Sequence, residues 1–386
     1  MSDEQRADWL EACRADGTRL RAAYDDSGSL RPAAAPVATY SSWRGTINVG
    51  AGRTLPVRMV SDVTVEPTHR RRGLLRRLMT EDLAEAAAAG LPLAALTASE
   101  ATIYGRYGFA AATRTRSVEV DTGPRFALHH PPTEGTIELL DPATAYTAVR
   151  AVDEAVLART RGAVGKPSFY APGDSGARNW ADDGPERRAR VAVLLDGAGT
   201  PRGYVRFVPR DLDGRPGGAA DVLQLAATDD AAHLRLWDFV AHLDLVHHVT
   251  AALRPDDLLD VALVDPRVVR TQRLRDHLWL RVLDPVAALE ARPWRDDGEV
   301  VLEVADPQGH AAGRYRVVVR DTTASVTRVD EAAEVRLDAV ALAAAYLGDR
   351  TVADLAAAGR VEGPGADRLA AMADHAGPTP WCTTDF

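Results

Sequence analysis

Cysteine is scarce in this chain. The two present, Cys13 and Cys382, stand near opposite ends of 386 residues. That is no disulfide framework, and a reducing cytoplasm is the default compartment. Long apolar runs are missing as well: no segment approaches the roughly 20 uninterrupted residues that a membrane-crossing helix needs. The opening residues, MSDEQRADWLEACRADG, are acidic and amphipathic and do not read as a secretory leader. Positive charge is in deficit, with 46 Lys and Arg against 55 Asp and Glu and a net charge of −9. A general nucleic-acid binder needs a basic face, so that class is excluded. The same deficit either steers a cationic substrate or merely keeps the protein soluble. The pairs His129–His130 and His247–His248 have no acidic partners at ligand spacing. Adjacent strand residues point to opposite faces, so neither pair reads as a metal site.

What the chain does have is a globular composition, 46% apolar and 26% charged. Its length predicts two or three domains. The most informative stretch is Val63–Met79, VTVEPTHRRRGLLRRLM. Alternation over Met59–Val65 predicts a strand, with Met59, Ser61, Val63 and Val65 on one face and Val60, Asp62 and Thr64 on the other. Pro67 ends it, because proline cannot donate to a ladder. A helix is predicted over Gly73–Ala89 from the spacing of Leu74, Leu75, Leu78, Met79 and Leu83, with Gly90 as its C′ glycine. A strand running through a basic loop into a helix N-terminus makes an anion cradle: free N–H groups and the positive end of the helix dipole converge there.

In that setting Arg70-x-x-Gly73 resembles the pyrophosphate loop of GNAT acyltransferases, although Leu75 stands where the general pattern has a small residue. The longer string THRRRGLLR (Thr68–Arg76), together with ALTASEATIYGRYGF (Ala95–Phe109), resembles the Eis (enhanced intracellular survival) family of GNAT N-acetyltransferases. The resemblance implies an α/β (α+β) fold: tandem GNAT folds, each a mixed sheet flanked by helices, then a sterol-carrier-protein-like α+β domain.

Residues 1–115 are read as the catalytic domain, with a helix at Glu4–Ala15, strands near Arg19–Tyr24, Pro36–Val49 and Leu93–Thr97, and a short helix around Ala101–Tyr107. The strand with which GNAT domains usually open is not found. Residues 116–283 are read as a second, degenerate GNAT-like domain. Its strands are expected at Arg188–Leu195, Gly203–Val208, Asp221–Ala227, Val246–Leu253 and Leu278–Leu283, with a helix at Asp229–Asp244 and a mobile loop at Pro172–Pro185. Its junction QLAATDDAAHLRL offers Asp229 and Asp230 to the helix dipole and no glycine, so it is expected to bind no CoA. Residues 284–386 are read as the sterol-carrier-like domain, with a helix at Pro285–Ala291, three strands between Glu299 and Val329, and alanine-rich helices thereafter.

The resemblance places CoA contacts at Val63, Thr64 and Val65, on the loop Arg71, Arg72, Gly73, Leu74, Leu75 and Arg76, and at Ser99 and Glu100. A phenol of pKa about 10 can protonate a thiolate of pKa about 8.5. Tyr104 and Tyr107 are both placed for this, and either could instead be a packed aromatic; the family string selects Tyr104. The base implied by the family is the terminal carboxylate, here that of Phe386. Such a carboxyl, with a pKa near about 3.5, must be desolvated or act through water. Asp385 would help attract a cationic amine. Trp9 matches a family position at the pocket mouth, or else anchors the core under its helix.

The expected activity is acetyl-CoA-dependent N-acetylation of cationic, aminoglycoside-like small molecules. Acetyl-CoA is the co-substrate, and no metal, nucleic acid or membrane insertion is expected. The family also implies a homo-hexamer. Protein-lysine or polyamine acetylation at the same site, and an apolar-ligand carrier or assembly scaffold built on the last domain, are the alternatives.

Overall fold

A computed structural model of the chain describes residues 3–25, 35–179, 184–212 and 215–386. The first part runs α1 (Asp3–Ala15), β1 (Arg19–Ala23), β2 (Ala38–Gly50), β3 (Arg53–Val65), α2 (Leu74–Ala88), β4 (Leu93–Thr97), α3 (Ala101–Tyr104) and β5 (Ala110–Ala111). The next part opens with β6 (Arg114–Asp121), β7 (Thr136–Leu140), α4 (Pro142–Arg159), α5 (Ala171–Asp174), β8 (Arg190–Leu195) and β9 (Pro201–Leu212). It continues through β10 (Arg215–Ala227), α6 (Asp230–Ala241), β11 (Val246–Leu253), α7 (Leu259–Ala262), β12 (Val269–Asp276) and β13 (Leu278–Val282). The loop expected at Pro172–Pro185 begins inside α5, and its residues 180–183 lie outside the described residues.

These strands form two sheets, β1-β2-β3-β4-β13-β5 and β12-β6-β11-β10-β9-β8-β7. Each sheet holds a parallel pair, β3 with β4 and β10 with β11. Parallel neighbours need a crossover, and α2 and α6 supply it.

One strand lies elsewhere than the sequence predicts. Leu278–Leu283 was expected in the second unit, yet β13 sits in the first sheet, antiparallel to β4 and to β5. Meanwhile β6, which follows β5 almost at once, pairs in the second sheet with β11 and β12. The β5–β6 and β12–β13 segments therefore form one antiparallel ribbon that crosses from sheet to sheet. At the crossing Ala112 N–H donates to Leu278 O (2.8 Å), His277 N–H to Thr113 O (3.0 Å) and Leu278 N–H to Thr113 Oγ1 (3.1 Å). All five residues of β13 are buried, and a strand hidden on both faces belongs between two layers. Strand period shows that such a segment is extended but not which sheet receives it.

The first sheet is covered on both sides. Val60, Leu78, Met79, Leu83 and Phe109 form the core under α2. On the opposite face Trp43, Met59, Leu93 and Leu280 share a core with Val300, Leu342 and Tyr346 of the C-terminal unit. That unit begins with a helix at Pro285–Ala291. Its five-stranded sheet comprises Gly298–Ala305, Gly313–Arg320, Thr323–Arg328, Val335–Asp338 and Val361–Glu362, followed or interleaved by helices Ala339–Tyr346, Val352–Ala357 and Ala366–Ala373. The two shortest strands were not anticipated from sequence. Among the described residues no helix is long and apolar enough to cross a membrane.

Arg281 of β13, fully buried, pairs with the buried Asp306 of the C-terminal unit. Its guanidinium lies against Gly108, which ends the turn after Tyr104 with φ +81°; a Cβ there would stand 2.6 Å from Arg281 Nη1. Because the guanidinium is held by its ion pair, it cannot yield. Gly108→Ala is expected to cost about 2 kcal/mol or more, from a left-handed alanine and an overpacked contact, read as a lower midpoint of thermal unfolding.

Candidate active site

The site begins where two strands part. β3 pairs with β4 from Val57↔Leu93 to Val60↔Leu96, and there the pairing ends. β3 continues to Val65, paired with β2 alone. At the parting Asp62 takes φ +51°, and the β2–β3 register shifts between Thr39↔Thr64 and Ser41↔Ser61. This is a bulge, which kinks a strand and re-aims its side chains. It is braced from β2: Thr39 Oγ1 donates to Asp62 O (2.7 Å) and Ser41 Oγ to Asp62 Oδ2 (2.6 Å).

The bulge also corrects the expected facing of side chains. Val63 and Val65 pack with Val60 against the α2 core, whereas Met59 faces the opposite core. An extra residue shifts a period-2 pattern by one, so alternation from Met59 onward could not hold.

The wedge between β3 and β4 opens into a cavity of about 350 Å³. Tyr104, at the end of α3, reaches it with its ring buried edge-on to Phe109, centroids 6.4 Å apart. The Tyr104 hydroxyl has no hydrogen-bond partner among the described residues. Burial raises its pKa, helped by Glu100 and then Tyr107, so it holds its proton at neutral pH. Tyr107 is buried in the α2 core beside Arg106 and Arg76 and is not among the cavity's lining residues. Ser99 lines the cavity, while Glu100 sits exposed at the α3 N-cap.

The chain's last residues enter the same wedge. Thr97 Oγ1, at the end of β4, donates to the terminal oxygen of Phe386. The Phe386 ring stands edge-on to Trp43 of β2, centroids 5.7 Å apart, and Trp43 in turn meets Phe169 at 5.2 Å. Tyr170 Oη donates to Asp385 O (2.8 Å). Farther back, Thr379 is held by Asp256 through its N–H and hydroxyl (2.9 and 2.6 Å), and Trp381 N–H donates to Arg161 O (2.8 Å). Cys382 is buried, and burial pushes its thiol up to about 12, so it is inert at neutral pH.

Carboxylates dominate the lining: Asp62, Asp276, Asp385 and the terminus face Arg275 and His277. Trp9 is half-buried on α1 and is not among the lining residues. Its helix is tied nearby through Asp16, which accepts from Ser168 Oγ and Phe169 N–H. Sequence reasoning missed Trp43, Asp62, Thr97, Tyr170 and His277. Their signals are weak because each reaches the site from a different element.

The arginine loop lies at the head of α2. Arg71 and Gly73 both adopt left-handed backbone, φ +64° and +79°. Gly73 occupies the N-cap position without a side-chain cap, and the first turn carries no acid. The first N–H groups of α2 are thus left to an external acceptor. Arg71, Arg72 and Arg76 are exposed. Arg72 leans on Thr68 O (3.3 Å) and Asp25 (3.7 Å); Arg71 and Arg76 have no carboxylate partner among the described residues. Leu74 and Leu75 turn inward onto the α2 core, together with Val63 and Val65. Thr64 is engaged by Thr39, hydroxyl to hydroxyl at 2.6 Å. The helix itself is pinned to β2 by buried Asp82, which accepts from Tyr40 Oη (3.1 Å) and Ser42 Oγ (2.7 Å).

The equivalent junction in the second sheet is built differently. Asp229 Oδ1 accepts from Ala232 N–H (2.9 Å) and Oδ2 pairs with Arg202, so the protein's own carboxylate takes up the head of α6.

A strand pair splayed at a bulge, with an uncapped helix and arginines at its head, defines a GNAT-type acetyltransferase centre. Models of the acetyltransferase (GNAT) domain match residues 35–112 and 175–282, and a sterol carrier protein domain model matches residues 285–383. The chain is 35% identical to an uncharacterized N-acetyltransferase of Streptomyces avermitilis, across 100% of this chain and 97% of that protein. It is also 35% identical to N-acetyltransferase Eis of Mycobacterium tuberculosis, across 80% of this chain and 74% of that one. The crystal structure of Eis1 from Mycobacterium abscessus superposes with a TM-score of 0.81 at 31% identity, covering 95% of this chain and 90% of that chain. A GCN5-related N-acetyltransferase from Anabaena variabilis shares the fold, with a TM-score of 0.82 at 19% identity, covering 100% and 94%.

The chain belongs to the Eis family of GNAT N-acetyltransferases, with acetyl-CoA as co-substrate.

Proposed function

We propose that this acetyltransferase transfers the acetyl group directly to a primary amine of a cationic, aminoglycoside-like small molecule within the β3–β4 wedge. One observation carries the reading: Tyr104 and the terminal residue Phe386 line a single acidic cavity at the parting of the strands, and β3 runs on from that cavity's Val63 to the arginine loop. Arg71, Arg72 and Arg76, with the N–H groups of Gly73, Leu74 and Leu75, hold the diphosphate of acetyl-CoA. Val63, Thr64 and Val65 offer a strand edge to the pantetheine arm, and Ser99 and Glu100 flank it. Asp385 and the neighbouring carboxylates draw in the ammonium, and Trp9 shapes the approach from α1.

The Phe386 carboxylate takes the ammonium proton, directly or through a water. The freed amine attacks the thioester carbonyl and forms the C–N bond; as the C–S bond breaks, Tyr104 protonates the departing thiolate, and the second N–H proton of the amine is lost through solvent, from which the Tyr104 phenolate is reprotonated. Burial raises the thiolate's pKa in the same surroundings, which narrows its mismatch with a raised phenol. In the second unit, the Asp229 carboxylate at the head of α6 opposes binding of a second diphosphate.

The direct test is mass spectrometry of an amine library incubated with acetyl-CoA. The reading expects mass gains of single acetyl groups on polycationic amines; gains confined to protein lysine or to linear polyamines would support the alternative at this site. Arg71→Ala/Arg76→Ala is expected to raise the acetyl-CoA KM about tenfold or more, since two charge-assisted contacts are lost. Unchanged turnover at low acetyl-CoA would remove the loop's assigned role.

A further inference from the structure

We propose that His277 is a positioning residue of the acceptor side: its imidazole latches the last residues of the chain, so that the Phe386 carboxylate stays in the wedge. The proposal rests on the reading that this carboxylate serves the reaction.

His277 occupies the single residue between β12 and β13, where the ribbon passes from one sheet to the other. Its main-chain N–H is used in that crossing, donating to Thr113 O. The crossing asks nothing of the side chain, which is nevertheless buried, 8% exposed, and lines the cavity with Tyr104, Asp385 and Phe386. Nδ1 lies 3.4 Å from Asp385 Oδ1. Nε2 is buried and has no hydrogen-bond partner among the described residues. The polar engagements of the ring are therefore with the tail, the largely exposed Asp385 carboxylate and the main chain of Thr384. Leaving the second nitrogen unpaired is costly, and the latch is what offsets that cost.

Charged groups face the ring from two sides, Asp385 from the tail and Arg275 and Asp276 from its own strand. Burial depresses the imidazole's pKa; Asp385 works against this, Arg275 adds to it, and the main chain of Thr384 and Asp276 oppose it. The ring is thus held neutral at neutral pH. Tyr170 closes the other side by donating to Asp385 O (2.8 Å). Without side-chain anchors a chain terminus frays, and a base that frays spends little time in reach of the amine.

Carboxypeptidase A, which removes aromatic C-terminal residues, reads the latch without reference to acetylation. Native protein is incubated with the protease, and loss of the Phe386 residue is followed by intact mass. When reclosing outpaces cleavage, the trimming rate reports the population of open tail. His277→Ala is expected to trim about tenfold faster than wild type, the scale of the polar contacts the ring makes with the tail. Its acetylation kcat is expected to fall by a similar factor while the acetyl-CoA KM holds. His277→Asn, which keeps an amide donor, is expected to restore most of both.

Asp385→Ala removes the other half of the contact without touching the sheet crossing. Adding it to His277→Ala is expected to accelerate trimming little further, because the two share one interaction. Wild-type trimming in both single variants overturns the latch, as does full additivity in the double variant. Accelerated trimming with unchanged acetylation instead upholds the latch and overturns the terminal carboxylate as base.

Discussion

Appending one residue after Phe386 lowers kcat about 100-fold or more while leaving acetyl-CoA binding in place. The extension converts the Phe386 carboxylate into a neutral amide and moves the charge roughly 3.5 Å along the chain. The Thr97 hydroxyl then meets an amide oxygen, and the wedge loses the proposed base, whose residue lines the same cavity as Tyr104. A positioned general base is worth on the order of 100-fold to 10,000-fold, so the loss should sit at or beyond the lower end. The ring of Phe386 can keep its place against Trp43, which is why an extension tests the charge more cleanly than a deletion. Deleting Phe386 also removes a partly buried apolar side chain and its contribution to the core. Steady-state rates with a polycationic amine, beside calorimetric titration of CoA, make the measurement. Undiminished kcat in the extended protein would eliminate the terminal carboxylate from the chemistry.

Tyr104→Phe is the second large effect. The ring packs edge-on to Phe109 in a buried turn, and phenylalanine fills the same volume, so stability and the KM for acetyl-CoA should change little. The proposed proton donor is gone, and kcat is expected to fall about 100-fold. The pH profile separates an acid from a packing residue. Burial raises the Tyr104 pKa above its ordinary value of 10.0. An acid in this role is competent only when protonated, and rising pH takes the Tyr104 proton only above its ordinary value of 10.0. Wild-type kcat/KM should therefore show no alkaline fall assignable to Tyr104 through pH 9. An alkaline fall below pH 9 that Tyr104→Phe abolishes would assign the phenol a depressed pKa and contradict its burial. A variant with wild-type kcat would return Tyr104 to the role of a core aromatic.

The parts of this architecture carried by local sequence were legible, and those carried by distant segments were not. The loop between β3 and α2 announces itself because its chemistry is contiguous: arginines, a left-handed glycine and an amphipathic helix follow within a few residues. α4 escaped the sequence reading although Asp141 caps it, accepting from Ala143 and Thr144 N–H, with Pro142 opening its first turn. An aspartate–proline start before an alanine-rich stretch was the available signal. The bulge at Asp62 had none: a left-handed aspartate looks like any other residue in an alternating run, and Thr39 and Ser41, which fix it, are paired from another strand. His277 and Tyr170 were hidden for the same reason. They meet Asp385 across more than a hundred residues of chain, and no spacing rule spans a contact made by a ribbon changing sheets.

That ribbon also sets a timetable. A chain leaving the ribosome can fold finished domains in order, but here the first sheet waits for a strand translated far downstream. From the emergence of Ala111 until Leu278–Val282 appears, β4 has an open edge. At ordinary elongation speeds the delay is on the order of ten seconds, long enough for an unpaired strand to recruit the wrong neighbour. A nascent chain stalled within that interval should be the species that chaperones bind and proteases cut. The sheet that carries the candidate site, early in the sequence, is among the last to be completed.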